Sequence, residues 1–263
     1  MNGRRAIVGL CMLCALLISA FAAQSAVAAN GTTGFTCKDN GGTTFFTDAH
    51  CTTGVNGKYE HVAIAQDLTT EVEITNAKTN AGTTGPSNSG LHATVGGTEF
   101  ELVSTTVTGT GSCTNKLDEP SKEHYIHCEN AKLVYTGITE AKLGCGVEGL
   151  PGGVGKIETK ELTATTTGKG DSVVFSPLAP ATLFAEFKLT GCAVANTYKV
   201  VGSVTCKPEG ATINCSRTET TTAGALRLGS AIGPKAGLNG KVTISGRAKG
   251  VGAYTPLSPT TVT

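Results

Sequence analysis

Residues 171–206 read DSVVFSPLAPATLFAEFKLTGCAVANTYKVVGSVTC and are rich in apolar side chains. Between positions 183 and 189, apolar residues alternate with Glu186 and Lys188. A period of two residues is typical of a strand with one buried face and one solvent face. This segment therefore predicts a half-buried strand around which the rest of the fold is organised.

The same stretch contains two further apolar runs, at 172–175 and 198–205, and each predicts a short strand. Cys192 and Cys206 end two of the three predicted strands. We therefore expect a sheet here that is pinned by cysteines.

The N-terminus has the three parts of a secretory signal peptide. Arg4 and Arg5 are basic, residues 6–23 are mostly apolar, and the sequence Ala-Val-Ala at 26–28 supplies the small residues of a cleavage site. We expect cleavage after Ala28 and export of the remaining chain, either released or held at the cell surface. An uncleaved membrane anchor is the alternative, because about 18 apolar residues can just span a bilayer.

The exported part, residues 29–263, is expected to form one domain, with a candidate sub-boundary in the polar loop 78–90. Without Arg4 and Arg5, 19 of the 21 basic residues remain against 20 acidic ones, so the net charge is −1. This balance provides no basic patch for nucleic acid.

The composition favours strands and turns over helices. Glycine occurs 35 times, threonine is abundant and tryptophan is absent. Threonine suits pleated surfaces and glycine suits turns. We predict an all-β, antiparallel fold, either a sandwich or barrel-like, with long Gly- and Thr-rich loops such as 144–155.

Eight cysteines remain after the predicted cleavage, an even number that indicates four disulfides in an exported chain. They are Cys37, Cys51, Cys113, Cys128, Cys145, Cys192, Cys206 and Cys215. Proximity along the chain favours the pairs Cys37–Cys51, Cys113–Cys128, Cys145–Cys192 and Cys206–Cys215. Because no C-x-x-C occurs among them, zinc and redox interpretations are weak.

Two hairpins are indicated by paired glycines. Gly96 and Gly97 separate two alternating runs, and Gly41 and Gly42 follow Asp39-Asn40 between shorter ones. The string around Cys37 recurs around Cys206, which is either a distant internal repeat or shared turn chemistry of stapled hairpins.

Two short strings resemble motifs of chymotrypsin-like serine proteases. Residues 47–51, TDAHC, are similar to the histidine motif, in which the following cysteine bridges to an upstream one, here Cys37. Residues 170–172, GDS, are similar to the start of the GDSGG nucleophile motif. The resemblance implies His50 as general base and Ser172 as nucleophile.

In that interpretation Asp67 would orient the histidine, and the backbone N–H groups of Gly170 and Ser172 would bind the oxyanion. The departures are serious, because Val173 and Val174 replace the two glycines that follow the serine. The alternative is a stapled loop with an exposed histidine, and a separate loop before a strand.

Paired carboxylates occur at Glu71 and Glu73 and at Glu99 and Glu101. Each pair shares one strand face at a spacing of roughly 7 Å, which would suit glycosidase chemistry or calcium. Alternation with apolar neighbours explains both pairs as solvent faces, and we prefer that interpretation.

His124 and His127 precede Cys128, but their odd spacing places them on opposite faces of a strand. They are therefore a poor metal pair. The sequence also lacks the phosphate-binding and dinucleotide-binding glycine motifs, so we expect no metal and no cofactor.

The overall order of strings resembles a group of uncharacterised secreted, β-rich, cysteine-containing proteins of soil actinobacteria. The strings that carry this resemblance are FTCKDNGGTTFFTDAHC (35–51), YEHVAI (59–64), TNAKTN (75–80), STTVTGTGS (104–112), KIETKELTATTTGKGDSVVFSP (156–177), LFAEFKLTGC (183–192) and YKVVGSV (198–204).

In that group a cysteine is usual near Val103 and another near Ile138, whereas this chain has Cys113 and Cys128 instead. A relocated bridge would account for both changes. The resemblance implies export and a β-rich fold, supplies no activity, and argues against the protease interpretation.

We therefore expect an exported, non-enzymatic binding or structural protein, extracellular or associated with the cell envelope. Its expected partner is an envelope polymer or a glycan, with no nucleic acid and no membrane association after cleavage. A secreted hydrolase, protease-like at His50 and Ser172 or glycosidase-like, is the alternative.

Overall fold

The computed structural model describes residues 30–39, 41–43, 46–47, 56–76, 89–167, 170–209, 212–215, 225–248 and 255–262. Within these residues the chain forms strands and turns and no helix. The predicted signal peptide, residues 77–88 of the polar loop, His50 and Cys51 lie outside the described residues.

The strands are β1 (Asn30–Asp39), β2 (Tyr59–Ala63), β3 (Thr69–Asn76), β4 (Ser89–Val95), β5 (Thr98–Ser104), β6 (Thr106–Asp118), β7 (Glu123–Thr136), β8 (Thr139–Glu140), β9 (Gly146–Gly149), β10 (Gly153–Val154), β11 (Lys156–Glu158), β12 (Leu162–Thr166), β13 (Val173–Pro177), β14 (Leu183–Thr190), β15 (Asn196–Val201), β16 (Val204–Glu209), β17 (Thr212–Cys215), β18 (Arg227–Leu228), β19 (Ala236–Ala248) and β20 (Thr255–Val262).

Eight of these strands close into an antiparallel barrel, which we call the lower ring. Its order is β3, β6, β7, β12, β13, β16, β17 and β19, so ring neighbours follow one another along the chain. Strand β19 closes the ring by pairing with β3, for example Ile244 with Ile74. The predicted all-β antiparallel fold is confirmed, and of the two architectures the barrel is present.

The wall of the lower ring continues at one end into a second tier of strands. Asn76 of β3 pairs with Val242, and Gly90 of β4 pairs with Asn239, three residues earlier in the same strand β19. Similarly, the β14–β15 hairpin extends the β13–β16 hairpin past the turn at residues 178–182. We call this tier, formed by β4, β5, β8, β9, β14, β15, β18 and the first residues of β19, the upper ring.

Side-chain alternation explains why these segments form the barrel wall. In β3, Val72 and Ile74 are buried whereas Glu73 is exposed. In β14, Phe187 and Leu189 are buried whereas Lys188 is exposed. The strand predicted between 183 and 189 is therefore confirmed, with its apolar face turned to the interior.

Aromatic side chains from opposite walls fill the upper ring. Phe100 of β5 lies 6.1 Å from Phe187 of β14 and 5.4 Å from Tyr198 of β15, between ring centroids. Phe187 and Tyr198 stack at 5.5 Å. Such pairs contribute about 0.5–1.5 kcal/mol each beyond their buried area, so this cluster holds two walls of the ring together.

The Gly96-Gly97 turn closes the β4–β5 hairpin as the sequence indicates, whereas the predicted hairpin around Gly41-Gly42 is not formed within the described residues, because β1 pairs there with β2 and Phe46 bridges to Tyr59. Gly96 and Gly97 have φ of 56° and 84°, which is the left-handed pair that a tight two-residue hairpin needs. The prediction of one loop over 144–155 is wrong in part, because β9 and β10 lie within it. A Cβ on Gly149 would lie 2.0 Å from the carbonyl oxygen of Lys156, so glycine there permits a close backbone approach that propensity alone does not indicate.

Three disulfides join neighbouring parts of the wall, and they match three of the four predicted pairings. Cys113–Cys128 links β6 to β7 at directly paired positions, and Cys206–Cys215 links β16 to β17. Cys145–Cys192 joins the start of β9 to the turn between β14 and β15. The predicted Cys37–Cys51 pair lies outside the described residues, because Cys51 is among those left out.

A buried asparagine ties β1 to the lower ring. Asn115 of β6 accepts a hydrogen bond from the Gly34 N–H at 2.8 Å and donates to the carbonyl of Ile64 at 2.7 Å. Its side chain is buried, with 4% of the residue exposed. Because buried backbone groups need partners, this amide fixes where β1 and the segment after β2 cross the wall.

We expect Asn115→Ala to lower the free energy of unfolding by about 2–4 kcal/mol, because it leaves the Gly34 N–H and the Ile64 carbonyl buried without partners. Urea denaturation monitored by far-ultraviolet circular dichroism measures the change. Thr110→Ala, at an exposed position of the same strand, is the control and should cost less than about 0.5 kcal/mol. Equal costs for the two variants would show that the Asn115 bonds do not stabilise the fold.

Candidate functional site

The barrel interior contains a small apolar cavity where the two rings meet. Its volume is about 50 Å³, and a second space of about 30 Å³ adjoins it in the lower ring. Both are bounded by Ser89, Tyr135, Phe184 and Leu238. Ligand pockets for small organic molecules are typically roughly 300–1,000 Å³, so the interior is a packed core and not a ready-made pocket.

Tyr135 brings a phenol into this apolar surrounding. It pairs with Val107 and Ile157 on the flanking strands and lines both spaces. Burial raises the pKa of its hydroxyl well above the ordinary value, because the phenolate is poorly solvated in an apolar core. The phenol therefore stays in its neutral form inside the barrel.

A wider concave surface lies outside the barrel, where two proline-containing turns flank the wall. We call it the proline groove, and its open volume is about 620 Å³. It is lined by Lys132, Pro151, Thr159, Lys160, Glu161, Leu178, Ala179, Pro180, Ala181 and Leu183. Pro151 and Pro180 follow cis peptide bonds.

A break between β11 and β12 forms the floor of the proline groove. The Thr159 hydroxyl accepts from the Leu133 N–H at 2.9 Å, and Lys160 donates its N–H to the Phe184 carbonyl at 2.8 Å. The pairing of β7 with β11 and β12 shifts register across this break. Such a bulge re-aims side chains, and here it places Lys160 and Glu161 at the groove.

The charged side chains near the groove comprise one cluster of ion pairs and one separate cation. Glu158 accepts from Lys132 and from Lys156, each at 2.7 Å. The Lys132 ammonium, followed by that of Lys156, lowers the pKa of Glu158 to about 2. Within the described part of the chain, Lys160 forms no ion pair, which leaves its ammonium group available to a ligand.

A second polar arrangement surrounds Glu140 of β8, a carboxylate with 7% of the residue exposed. It accepts from the backbone N–H groups of Glu101 at 3.1 Å and Lys142 at 3.0 Å, and also from that of Leu143. Burial alone would raise the pKa of Glu140, but these donors, together with the Cys145 N–H, hold it below the ordinary value of 4.5. The carboxylate thus orders the turn that leads to Cys145.

The proposed protease residues are not brought together among the parts that can be placed. The Ser172 hydroxyl is 2.8 Å from the Thr167 hydroxyl, and the Gly170 N–H donates to the Thr167 carbonyl at 2.6 Å. Asp67 instead receives a hydrogen bond from Lys116 at 3.3 Å, beside β6. Strands β6, β7 and β12 lie between that position and the start of β13. His50 lies outside the described residues, so its role stays a prediction.

The carboxylate pairs lie where strand alternation predicts. Glu73 is exposed and Glu71 half-buried on β3, and both members of the Glu99 and Glu101 pair are half-buried on β5. Glu99 is bonded to Lys142 at 2.5 Å and to His92, and these contacts, Lys142 first, lower its pKa. Both pairs therefore belong to the outer faces of their strands.

His127 bonds the Thr165 hydroxyl at 2.9 Å and lies 3.2 Å from Glu129. In the ranges that the structure covers, no three histidine, cysteine, aspartate or glutamate side chains converge as metal ligands. Nor does any helix there have the length and apolar character needed to cross a membrane.

Comparison with known proteins does not assign the chain to a family. No family model, no curated protein and no solved structure matches the chain.

The proline groove could not be predicted from the sequence. Its lining comes from four separate segments, around positions 132, 151, 159–161 and 178–183. These segments are far apart in the chain, and nothing local indicates that the turns at Pro151 and Pro180 meet.

We expect Glu140→Gln to lower the free energy of unfolding by about 1–3 kcal/mol at pH 7, because a neutral amide replaces a carboxylate that accepts several backbone N–H bonds. The folded-state pKa of Glu140 is depressed, so its stabilisation is present above pH 4.5 and is lost as the pH falls through the lower folded value. The cost of the substitution should therefore shrink between pH 7 and pH 3.

Urea titrations of both proteins at the two pH values provide the measurement, since other carboxyl groups titrate alike in both and cancel in the difference. A cost that is the same at pH 7 and pH 3 would contradict the assigned role of the carboxylate.

Proposed function

We propose that this protein is exported and acts as a non-enzymatic binding protein outside the cell or at the cell envelope, with the proline groove as its binding surface. The observation that carries the proposal is the groove itself, a wide concavity of about 620 Å³ on the wall of a closed, disulfide-linked barrel.

Export is supported by two independent features of the chain. The N-terminal sequence has the basic, apolar and small-residue parts of a signal peptide. Disulfides persist in oxidising compartments and are rare where thiols are kept reduced. Three bridges in one barrel favour a protein that works outside the cytoplasm.

The composition of the groove favours a polymer with both apolar and hydrogen-bonding faces. Leu178 and Leu183 are half-buried, whereas Pro180 and Ala181 are exposed beside them. The Lys160 ammonium and the Glu161 carboxylate add a donor and an acceptor at the floor. A polysaccharide or another envelope polymer offers hydroxyl and carboxylate groups along an extended chain, and such a ligand can lie in an open groove that no closed pocket surrounds.

The first test is co-sedimentation of the mature protein with isolated cell-wall material of the host, with protein reduced and alkylated as the comparison. Saturable binding that needs intact disulfides is the expected result. Failure of correctly folded protein to sediment with wall material or with purified wall glycans would overturn the proposal.

The groove assignment is tested by Lys160→Glu. We expect this variant to bind wall material about tenfold more weakly, because a charge-assisted hydrogen bond is lost and a repulsive charge is introduced beside Glu161. Lys188→Glu, on the exposed face of β14 and outside the groove lining, is the matched control and should bind like the unmodified protein.

Fluorescence anisotropy with labelled, solubilised wall fragments measures both affinities. Equal losses in the two variants would mean that only net charge matters, and the proline groove would then not be the binding surface.

A further inference from the structure

The upper ring has one interruption in its hydrogen-bonded wall. Its strands are joined in the order β19, β4, β5 and β8 on one side and β9, β14, β15 and β18 on the other. Strand β18 returns to the β19 segment through the Arg227 and Lys235 bridge and the bond from the Ala236 N–H to the Leu226 carbonyl. Among the described strands of this ring, β8 and β9 are neighbours that no ladder joins.

Residues 141–145 connect β8 to β9 and cover this interruption, and we call them the strap. At its base, Gly155 accepts from the Ile138 N–H at 2.9 Å and donates to the Val147 carbonyl at 2.8 Å, which closes the lower end of the gap. Above this point the strap is fixed by the Glu140 carboxylate, which accepts the N–H groups of Lys142 and Leu143.

The far end of the strap is attached by a covalent bond. Cys145 is buried, with 7% of the residue exposed, and its disulfide to Cys192 spans a Cα–Cα distance of 5.2 Å. Cys192 lies in the turn between β14 and β15, two residues after Thr190, which pairs with Gly146 of β9, so the bridge attaches the strap just beyond the end of the β9–β14 ladder. The other two disulfides, in contrast, join residues within paired strands, whereas Cys145 lies in the strap, outside any ladder.

Apolar interior lies directly behind the strap. Leu143 of the strap packs against the main core, and Cys145 belongs to it. Ile138 at the base of the gap also lines the cavity of about 50 Å³, together with Leu102 of β5 and Phe187 of β14. Displacement of the strap would therefore uncover apolar surface that is continuous with the cavity.

We propose that the strap is a redox-controlled gate, and that reduction of Cys145–Cys192 by an external dithiol releases it and opens the apolar interior of the barrel to a small apolar molecule. In this reaction the S–S bond accepts two electrons and two protons from the dithiol. The protein then has two thiols, and the dithiol becomes a disulfide. The ladders of both rings are unaffected, because none of them passes through residues 141–145.

The test compares two double variants. Cys145→Ala with Cys192→Ala removes the strap bridge, and Cys113→Ala with Cys128→Ala removes a bridge between the paired strands β6 and β7. Amide hydrogen exchange should accelerate about tenfold or more at Lys142 and Leu143 in the first variant, with the amide of Phe187 unchanged.

The dye 8-anilinonaphthalene-1-sulfonate reports on exposed apolar surface. We expect its fluorescence with the strap variant to rise about fivefold above that with the control variant. Equal dye binding by the two variants would show that loss of the strap bridge does not open the interior. Faster exchange at Phe187 as well as in the strap would show general loosening of the upper ring. Either result would overturn the proposal.

If the strap variant does not fold, the unmodified protein provides the same test. A short treatment with dithiothreitol, followed by alkylation and mass spectrometry, should yield a species reduced only at Cys145 and Cys192, and this species should bind the dye. Earlier reduction of Cys113–Cys128 or Cys206–Cys215, or a strap-reduced species that does not bind the dye, would also overturn the gate.

Discussion

The pairing of β19 with β3 is the constraint on which the rest of the structure depends. Strand β19 pairs with β17 and β20 along one edge and with β4 and β3 along the other. It therefore completes the lower ring and begins the upper ring. Without it, the meander from β3 to β17 would be an open sheet with two free edges. In a closed barrel, one face of each strand points to the interior and the other to solvent. The side chains of Ile74, Phe175 and Ile213 lie on the interior face and are buried.

Because closure fills the interior with side chains, the surfaces open to other molecules lie on the wall. The aromatic cluster around Phe100 and the apolar lining near Phe184 leave only small spaces inside. The proline groove forms where the regular wall is broken, at the bulge between β11 and β12. The strap lies at another break, between β8 and β9. The proline groove and the strap therefore both occur where the regular hydrogen-bonded ladder is interrupted, between β8 and β12.

Local features could be predicted from the sequence because they are encoded within short stretches. Alternation at 183–189, the Gly96-Gly97 turn and the Cys113–Cys128 and Cys206–Cys215 pairings all depend on residues at most 15 positions apart in the chain. Cys145 and Cys192 are 47 positions apart, and their pairing is indicated because they are consecutive cysteines. The choice of a barrel over a sandwich could not be predicted, because it depends on Ile74 meeting Ile244, about 170 positions away. Both are apolar residues in ordinary strands, and nothing local specifies their pairing.

The role of Glu140 was also not visible. Its neighbours in the chain are unremarkable polar residues, and its importance depends on three backbone N–H groups that converge only when the turn at 141–145 has formed. Residues 171–206, predicted to organise the fold, supply the β14–β15 hairpin of the upper ring. The ring closes elsewhere, through β19.

The order of strands around the ring has a consequence for how the chain avoids aggregation while it folds. Seven of the eight neighbour pairs can form as the chain lengthens, whereas β3 lacks its second partner until β19 has been synthesised. Through that interval β3 presents an open edge, the kind of surface at which chains pair with one another. Glu71 and Glu73 on its outer face place negative charge at this edge, and charged side chains on an edge strand disfavour pairing with another molecule. In the finished barrel the same two residues are ordinary members of a solvent face.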